Sequence, residues 1–245
     1  MQLSPIMAVA VFCAYFAKGI CGFGNTLVFG SVMAFSADNI NISPIDLIVS
    51  YPSDIIIAAR KRKLIDWKVF AIMSACMLVG NLPGVFLLKT GDARVLKVVF
   101  GLVVAAIGLE AILHRSRGER KKPGLPVMLI VGLVSGVLCG LFGIGALMAA
   151  CVSRLTDSAD AFKGTHNAIF AVEGVMRITL YSLTGIITLT TVKTALCLMP
   201  VMLLALWVGG LVSKRTSEKH ARLIINIMLA ISGLYLCVAN IVSFI

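Results

Sequence analysis

The stretch KGICGFGNTLVFG, residues 18 to 30, sets a lysine and then Gly19, Gly22 and Gly24 inside a long apolar run. Both choices work against a plain membrane helix. Glycine in a helix interior costs about 1 kcal/mol relative to alanine, and lysine at the bilayer centre roughly 2.5–3.5 kcal/mol. The pattern returns farther along the chain: G-x-x-G-x-G reads GICGFG at 19–24 and GLFGIG at 140–145. Recurrence argues for a built feature, and what surrounds it decides which.

The chain has 245 residues, of which 59% are hydrophobic and 13% charged, with a mean hydropathy of +1.01. A soluble domain carries about 25% charged residues. Apolar runs about 20 residues long without strand alternation indicate membrane-spanning helices rather than a barrel. The net charge of +11 sits mostly in short clusters between apolar runs. That is a topology signal, so nucleic acid is not an expected partner. The seven cysteines lie in or beside apolar runs without a C-x-x-C pair; they read as small buried hydrophobes, and no metal site or cofactor is expected. H-E-x-x-H, G-x-S-x-G and the phosphate-binding G-x-x-x-x-G-K-[ST] do not occur, so neither an enzyme nor ATP-driven transport is expected of this chain.

Spanning segments are predicted at 45–59, 69–88, 95–113, 164–184, 192–212 and 223–243, with longer glycine-interrupted regions at 4–36 and 125–152. The basic linker HRSRGERKKPG (114–124) divides repeat one, 1–113, from repeat two, 125–245. An offset of 125 pairs Lys68 with Lys193, Gly84 with Gly209, Lys89 with Lys214, Lys97 with Arg222 and Gly108 with Gly233, while the glycine motifs are 121 apart. Order and register together favour a true repeat.

Loop charge gives the repeats opposite orientations. RKRKLIDWK (60–68) is basic and KTGDAR (89–94) nearly balanced, whereas in the second half TGIITLTTVK (184–193) carries one charge and SKRTSEKHAR (213–222) is basic. Basic loops stay in the cytoplasm. Equivalent loops therefore lie on opposite faces. The linker and loop 213–222 are then both cytoplasmic, so 125–152 must enter and leave from the cytoplasm as a hairpin of two short helices turning near mid-membrane, and 4–36 must do the same from outside. The expected fold is an all-α integral membrane protein of two inverted-topology repeats, each a glycine-turn helical hairpin plus three transmembrane helices, with both termini external.

A turn inside the bilayer is tolerated only where protein or a water-filled cavity covers its free backbone groups. The helix leaving each turn aims its N-terminus at the midplane, where free N–H groups and the helix dipole favour an anion. Gly22, Gly24, Asn25 and Thr26 at the first turn, and Gly143 and Gly145 at the second, are thus candidate substrate-binding residues. The competing reading is close helix packing through small residues.

Four ionisable residues fall deep in apolar segments: Lys18, Asp54, Glu173 and Arg177. Arg177 is the best candidate anion ligand, since a guanidinium stays charged and grips an oxyanion through two hydrogen bonds. It also stands four residues after Glu173, in position to be neutralised by it, and Asp54 is a second candidate partner. Asp54 and Glu173 are candidates for charge pairing or for proton coupling. Lys18 either meets the anion or pairs with a buried acid.

The doubled glycine hairpin, the basic loop ending IDW (65–67), KGTHN (163–167) and the closing AISGLYL (230–236) resemble the TauE/SafE family of membrane exporters. The resemblance covers nearly the whole chain. It implies a multi-pass transporter in a bacterial inner membrane that exports a small anion, sulfite or an organosulfonate such as a sulfo-carboxylate, by alternating access. Gly164-Thr165-His166 stands where the family shows a Gly-Thr-Ser-like segment, which implies a polar substrate contact at His166. Other readings are a passive anion channel, an importer of a related organic anion, and a membrane partner in thiol-based sulfur transfer through a residue such as Cys21. The expected partners are a small anion and the lipid bilayer; coupling ion, direction and self-association are not fixed by the sequence.

Overall fold

The computed structural model of the chain describes residues 5–33, 39–92, 95, 96, 98, 99, 102 and 123–213. Its helices are α1 (Pro5–Cys21), α2 (Asn25–Met33), α3 (Asn39–Arg60), α4 (Trp67–Thr90), α5 (Leu125–Phe142), α6 (Ala146–Leu155), α7 (Ala159–Leu183) and α8 (Leu189–Ser213), with a short 3-10 turn at Arg62–Leu64. No strand occurs among the described residues. Among the described residues, four helices, α3, α4, α5 and α8, are long and apolar enough to cross a membrane. Large apolar side chains point outward along them, among them Val79, Leu82 and Phe86 on α4 and Leu203, Leu204 and Trp207 on α8. Such an outer surface suits lipid, and the chain is a multi-pass membrane protein.

Both glycine regions form helix–turn–helix hairpins, α1–α2 and α5–α6. Their limbs are unequal, 17 and 9 residues in the first and 18 and 10 in the second. At 1.5 Å per residue α5 is about 27 Å long and α6 about 15 Å. The expectation of two short limbs thus holds only for the second limb of each hairpin, because the glycines fall late in each apolar run. The first glycine of each turn does the same backbone work. Gly22 (φ +85°) and Gly143 (φ +74°) both adopt the left-handed conformation, and their N–H groups bond the Lys18 and Cys139 carbonyls at 2.7 Å. This closes the first limb as a helix C-terminus. The turns diverge at the next glycine, with Gly24 at φ +90° and Gly145 at −109°.

Each hairpin packs on a helix from the other half. α1 lies along α8, and α5 along α4. Glycines set both approaches: a methyl group on Gly209 would sit 3.1 Å from the Gly19 Cα, and one on Gly84 3.0 Å from the Gly140 Cα. Where lipid tails compete equally for apolar side chains, such backbone proximity is a main source of helix association. α3 packs against α7 between these pairs, α4 also touches α7, and α3 also touches α8. One buried apolar cluster gathers Met7, Phe29, Leu47 and Met202, and a second Met73, Met77, Met148 and Ile169.

Helix boundaries differ from the expected spans in an instructive way. α3 begins at Asn39 and runs through Pro44 and Pro52, where a start at 45 was expected. α7 begins at Ala159, where Ser158 accepts a hydrogen bond from the Ala161 N–H as N-cap, so His166 and Asn167 lie two turns inside it rather than opening it. The polar residues of TDSADAFK (156–163) hid this start. Most of the expected span 95–113, the linker 114–122, loop 214–222 and span 223–243 lie outside the described residues.

Candidate functional site

α7 carries the polar side chains that hold both turns. A helix ends with carbonyls lacking intrahelical partners. At the end of α1, the Ile20 carbonyl accepts from Lys163 Nζ at 2.9 Å and Ser213 Oγ at 3.2 Å, and the Gly22 carbonyl from Asn167 Nδ2 at 3.0 Å. At the end of α5, the Cys139 carbonyl accepts from Arg177 Nη1 and the Gly140 carbonyl from the Tyr181 hydroxyl, both at 2.8 Å. Residues 163, 167, 177 and 181 of α7 therefore satisfy the two turns in succession.

Between the turns lies a small cavity. The first hairpin lines it with Gly24, Asn25 and Thr26, the second with Gly143, Gly145 and Ala146. α3 adds Ser50 and Asp54, and α7 adds His166, Phe170 and Arg177. The N-termini of α2 and α6 thus open onto one space. Their first intrahelical bonds are Val28 N–H to Gly24 O at 3.2 Å and Ala149 N–H to Gly145 O at 2.8 Å, which leaves the amides of 25–27 and 146–148 without intrahelical acceptors. The cavity faces the middle of α3 and α7, since Asp54 and His166 to Arg177 are interior positions of those helices. The cavity holds about 20 Å³ for the centres of water molecules, room for a water but not for a multi-atom anion.

Of the residues expected at the site, Gly24, Asn25, Thr26, Gly143, Gly145, His166, Arg177 and Asp54 line this cavity; Lys18, Gly22 and Glu173 do not. Lys18 Nζ lies 2.7 Å from Asp54 Oδ1, both side chains being 95% buried or more. The pair neutralises two charges that would be costly alone in low dielectric. Arg177 Nε lies 3.1 Å from Glu173 Oε1, a charge contact not aligned as a hydrogen bond. The same oxygen accepts from Asn81 Nδ2 at 2.7 Å. Asp54 is thus taken by Lys18, and Arg177 by Glu173 and the end of α5. His166 is 4% exposed, stacks on Phe170 with ring centres 4.8 Å apart, and has no hydrogen bond at either nitrogen.

Sequence reasoning missed a further carboxylate. Asp46, 3% exposed on α3, accepts from the Tyr15 hydroxyl at 3.0 Å, from Asn25 Nδ2 at 3.3 Å and from the Thr26 hydroxyl. It is the second residue of the expected span 45–59, and the sequence reading did not single it out. Its spacing of eight residues from Asp54, about two helical turns, was the available signal.

Comparison with known proteins identifies the family. The family model described as sulfite exporter TauE/SafE matches residues 7–236. A probable membrane transporter protein of Methanocaldococcus jannaschii is 23% identical over 262 aligned residues, covering 96% of each chain. The probable membrane transporter protein YfcA of Escherichia coli strain K12 is 28% identical over 155 residues, 59% of this chain and 58% of that protein. No solved structure gives a significant match. These relatives are membrane transporters rather than enzymes, and the chain belongs to the TauE/SafE sulfite exporter family.

Proposed function

We infer that this transporter is a secondary exporter of a small oxyanion, sulfite or an organosulfonate, that works by alternating access between two inverted repeats. The observation that carries this reading is the convergence of two helix N-termini, α2 and α6, on one buried cavity that Arg177 also lines. Free amides at both ends and a guanidinium beside them make a site for negative charge. A tetrahedral or pyramidal oxyanion offers several acceptor oxygens to several donors at once, which suits amides arriving from opposite sides.

Paired contacts support the inverted repeat. α1 on α8 matches α5 on α4, and α3 with α8 matches α7 with α4. The exchange of hairpins between halves makes each gate a contact between repeats, as rocking of one against the other requires. The small volume of the cavity favours a carrier over an open channel, because an oxyanion fits only if the lining moves. Cys21 and Cys139 are buried and do not line the cavity, which weighs against a thiol relay.

The test is a thermal-shift screen of the purified protein against sulfite, isethionate, sulfoacetate and simple carboxylates, followed by flux of the best binder in proteoliposomes. Stabilisation by sulfite or sulfonates and saturable flux support the reading. Stabilisation by none of them, or flux linear in concentration, contradicts it. Reporter tags check the proposed topology: 114–124 and 213–222 read as cytoplasmic and both termini as external.

A further inference from the structure

Five charged side chains are buried among the described residues: Lys18, Asp46, Asp54, Glu173 and Arg177. Four form two ion pairs, Lys18 with Asp54 and Arg177 with Glu173. Asp46 is left without a cationic partner among the described residues. With all five ionised, the region carries one net negative charge, which works against holding an anion. One proton on a carboxyl removes that charge, and Asp46 is the carboxyl without an ion pair among the described residues.

The shell around Asp46 is built for both forms of the carboxyl. Tyr15 and Thr26 approach with hydroxyls, and Asn25 with its amide. A hydroxyl donates to a carboxylate and, after rotation, accepts from a carboxylic acid. An Arg or Lys partner would instead hold the ionised form alone. The charged groups within electrostatic reach are Asp54 on the same helix and Arg177 on α7, each already tied to its own partner, and Tyr15 on α1 is the titratable group in direct contact.

Two of the three shell residues belong also to the cavity. Asn25 and Thr26 line it at the first turn of α2 while bonding Asp46. An anion entering at that N-terminus competes for the Thr26 hydroxyl hydrogen and the Asn25 amide hydrogens. A carboxylate that loses those donors is stabilised by a proton, and the resulting O–H finds the Thr26 oxygen as acceptor.

We propose that Asp46 binds one proton each time the cavity binds an anion, so that the two cross the membrane together in the same direction. The proposal rests on the anion-transport reading above and adds the coupling ion and its site. The proton comes from water on the side where the anion enters and returns to water on the other side; no other co-reactant takes part. It assigns coupling to Asp46 and leaves Asp54 as the fixed counter-ion of Lys18.

Proteoliposomes containing the full chain and the pH dye pyranine test this with radiolabelled isethionate, a sulfonate that does not titrate near neutral pH. In the wild type, an isethionate gradient acidifies the compartment the sulfonate enters, and isethionate binds with net uptake of one proton from the medium. In Asp46→Asn the proton moved per sulfonate falls below about a tenth of the wild-type ratio, and in Asp46→Glu the ratio is kept. Isethionate moving in the wild type while pyranine stays silent overturns the proposal, as does flux that follows a sodium gradient alone or an undiminished ratio in Asp46→Asn. Those results leave anion transport standing. Absence of flux for isethionate, sulfite and sulfoacetate in the wild type overturns the transport reading and the proposal with it.

Discussion

At the first turn, Gly22 closes α1 in the left-handed conformation and α2 opens on Asn25 and Thr26; at the second, Gly143 closes α5 the same way and α6 opens on Ala146 and Leu147. Lys18, whose carbonyl takes the Gly22 N–H, has Cys139 as its counterpart at Gly143. The first hairpin supplies polar side chains of its own and faces Asp46 and Asp54. The second supplies backbone and borrows its charge from Arg177 on α7. The backbone device is shared, while the side chains that would distinguish an anion from a proton sit on opposite hairpins. A transporter with identical halves would hold its substrate symmetrically; on the proposed reading one hairpin meets the anion's charge and the other the proton that travels with it.

Removing the charge at the second turn should have the largest effect. Arg177→Ala takes a guanidinium from the cavity and strands Glu173, which is buried with Oε2 unpartnered. Losing one side of such a contact costs about 2–5 kcal/mol, so oxyanion affinity in a thermal-shift titration should fall by roughly 30-fold or more. Unchanged affinity would reduce Arg177 to a cap for α5.

Lys18→Met acts on the first hairpin. It leaves Asp54 buried without its counter-ion and should lower stability by about 3–5 kcal/mol, with Lys18→Met/Asp54→Asn recovering most of the loss. Thermal unfolding of the two variants in one detergent checks this. A double variant no more stable than the single would show that Lys18 does more than balance Asp54.

A smaller pair of substitutions separates the turns directly. An alanine at Gly143 adopts a strained φ, and its Cβ meets Arg177 Nη1 and Thr26 Cγ2 at 2.9 Å; one at Gly24 is strained too but meets nothing within 4 Å. Gly24→Ala should cost about 1–2 kcal/mol of stability through backbone strain alone. Gly143→Ala should cost more and also weaken anion binding. Equal losses in stability and binding would mean that the contact with Arg177 does not matter. The smallest effect is expected from the thiols: replacing all seven cysteines with alanine should leave sulfonate flux in place.

The hairpins were legible in the sequence because glycine, charge and span length constrain one another: a basic loop fixes a side, and two basic loops around one apolar region force a return. The Lys18 and Arg177 neighbourhoods were legible as alternatives, since a lysine in hydrocarbon needs an acid and an arginine four residues after a glutamate has one at hand. What could not be read was which acid meets which base across the fold, because Lys18 and Asp54 are 36 positions apart. The start of α7 was hidden for a different reason. The stretch TDSADAFK (156–163) holds Ser158, which caps the helix, Asp160, which pairs with Lys61, and Lys163, which reaches the Ile20 carbonyl, and a search for apolar spans passes over it. Asp46 was not singled out: it is the second residue of the expected span 45–59, and only deeper ionisable residues were considered.

The central claim is that the anion sits between the N-termini of α2 and α6 beside Arg177. Selenite is a heavier counterpart of sulfite, and anomalous diffraction at the selenium edge from crystals of the sulfur-methionine protein soaked in selenite locates it directly. The account predicts a peak within hydrogen-bonding distance of the Arg177 guanidinium and of backbone amides among residues 25–27 and 146–148. A peak elsewhere, with that cavity empty, would contradict it.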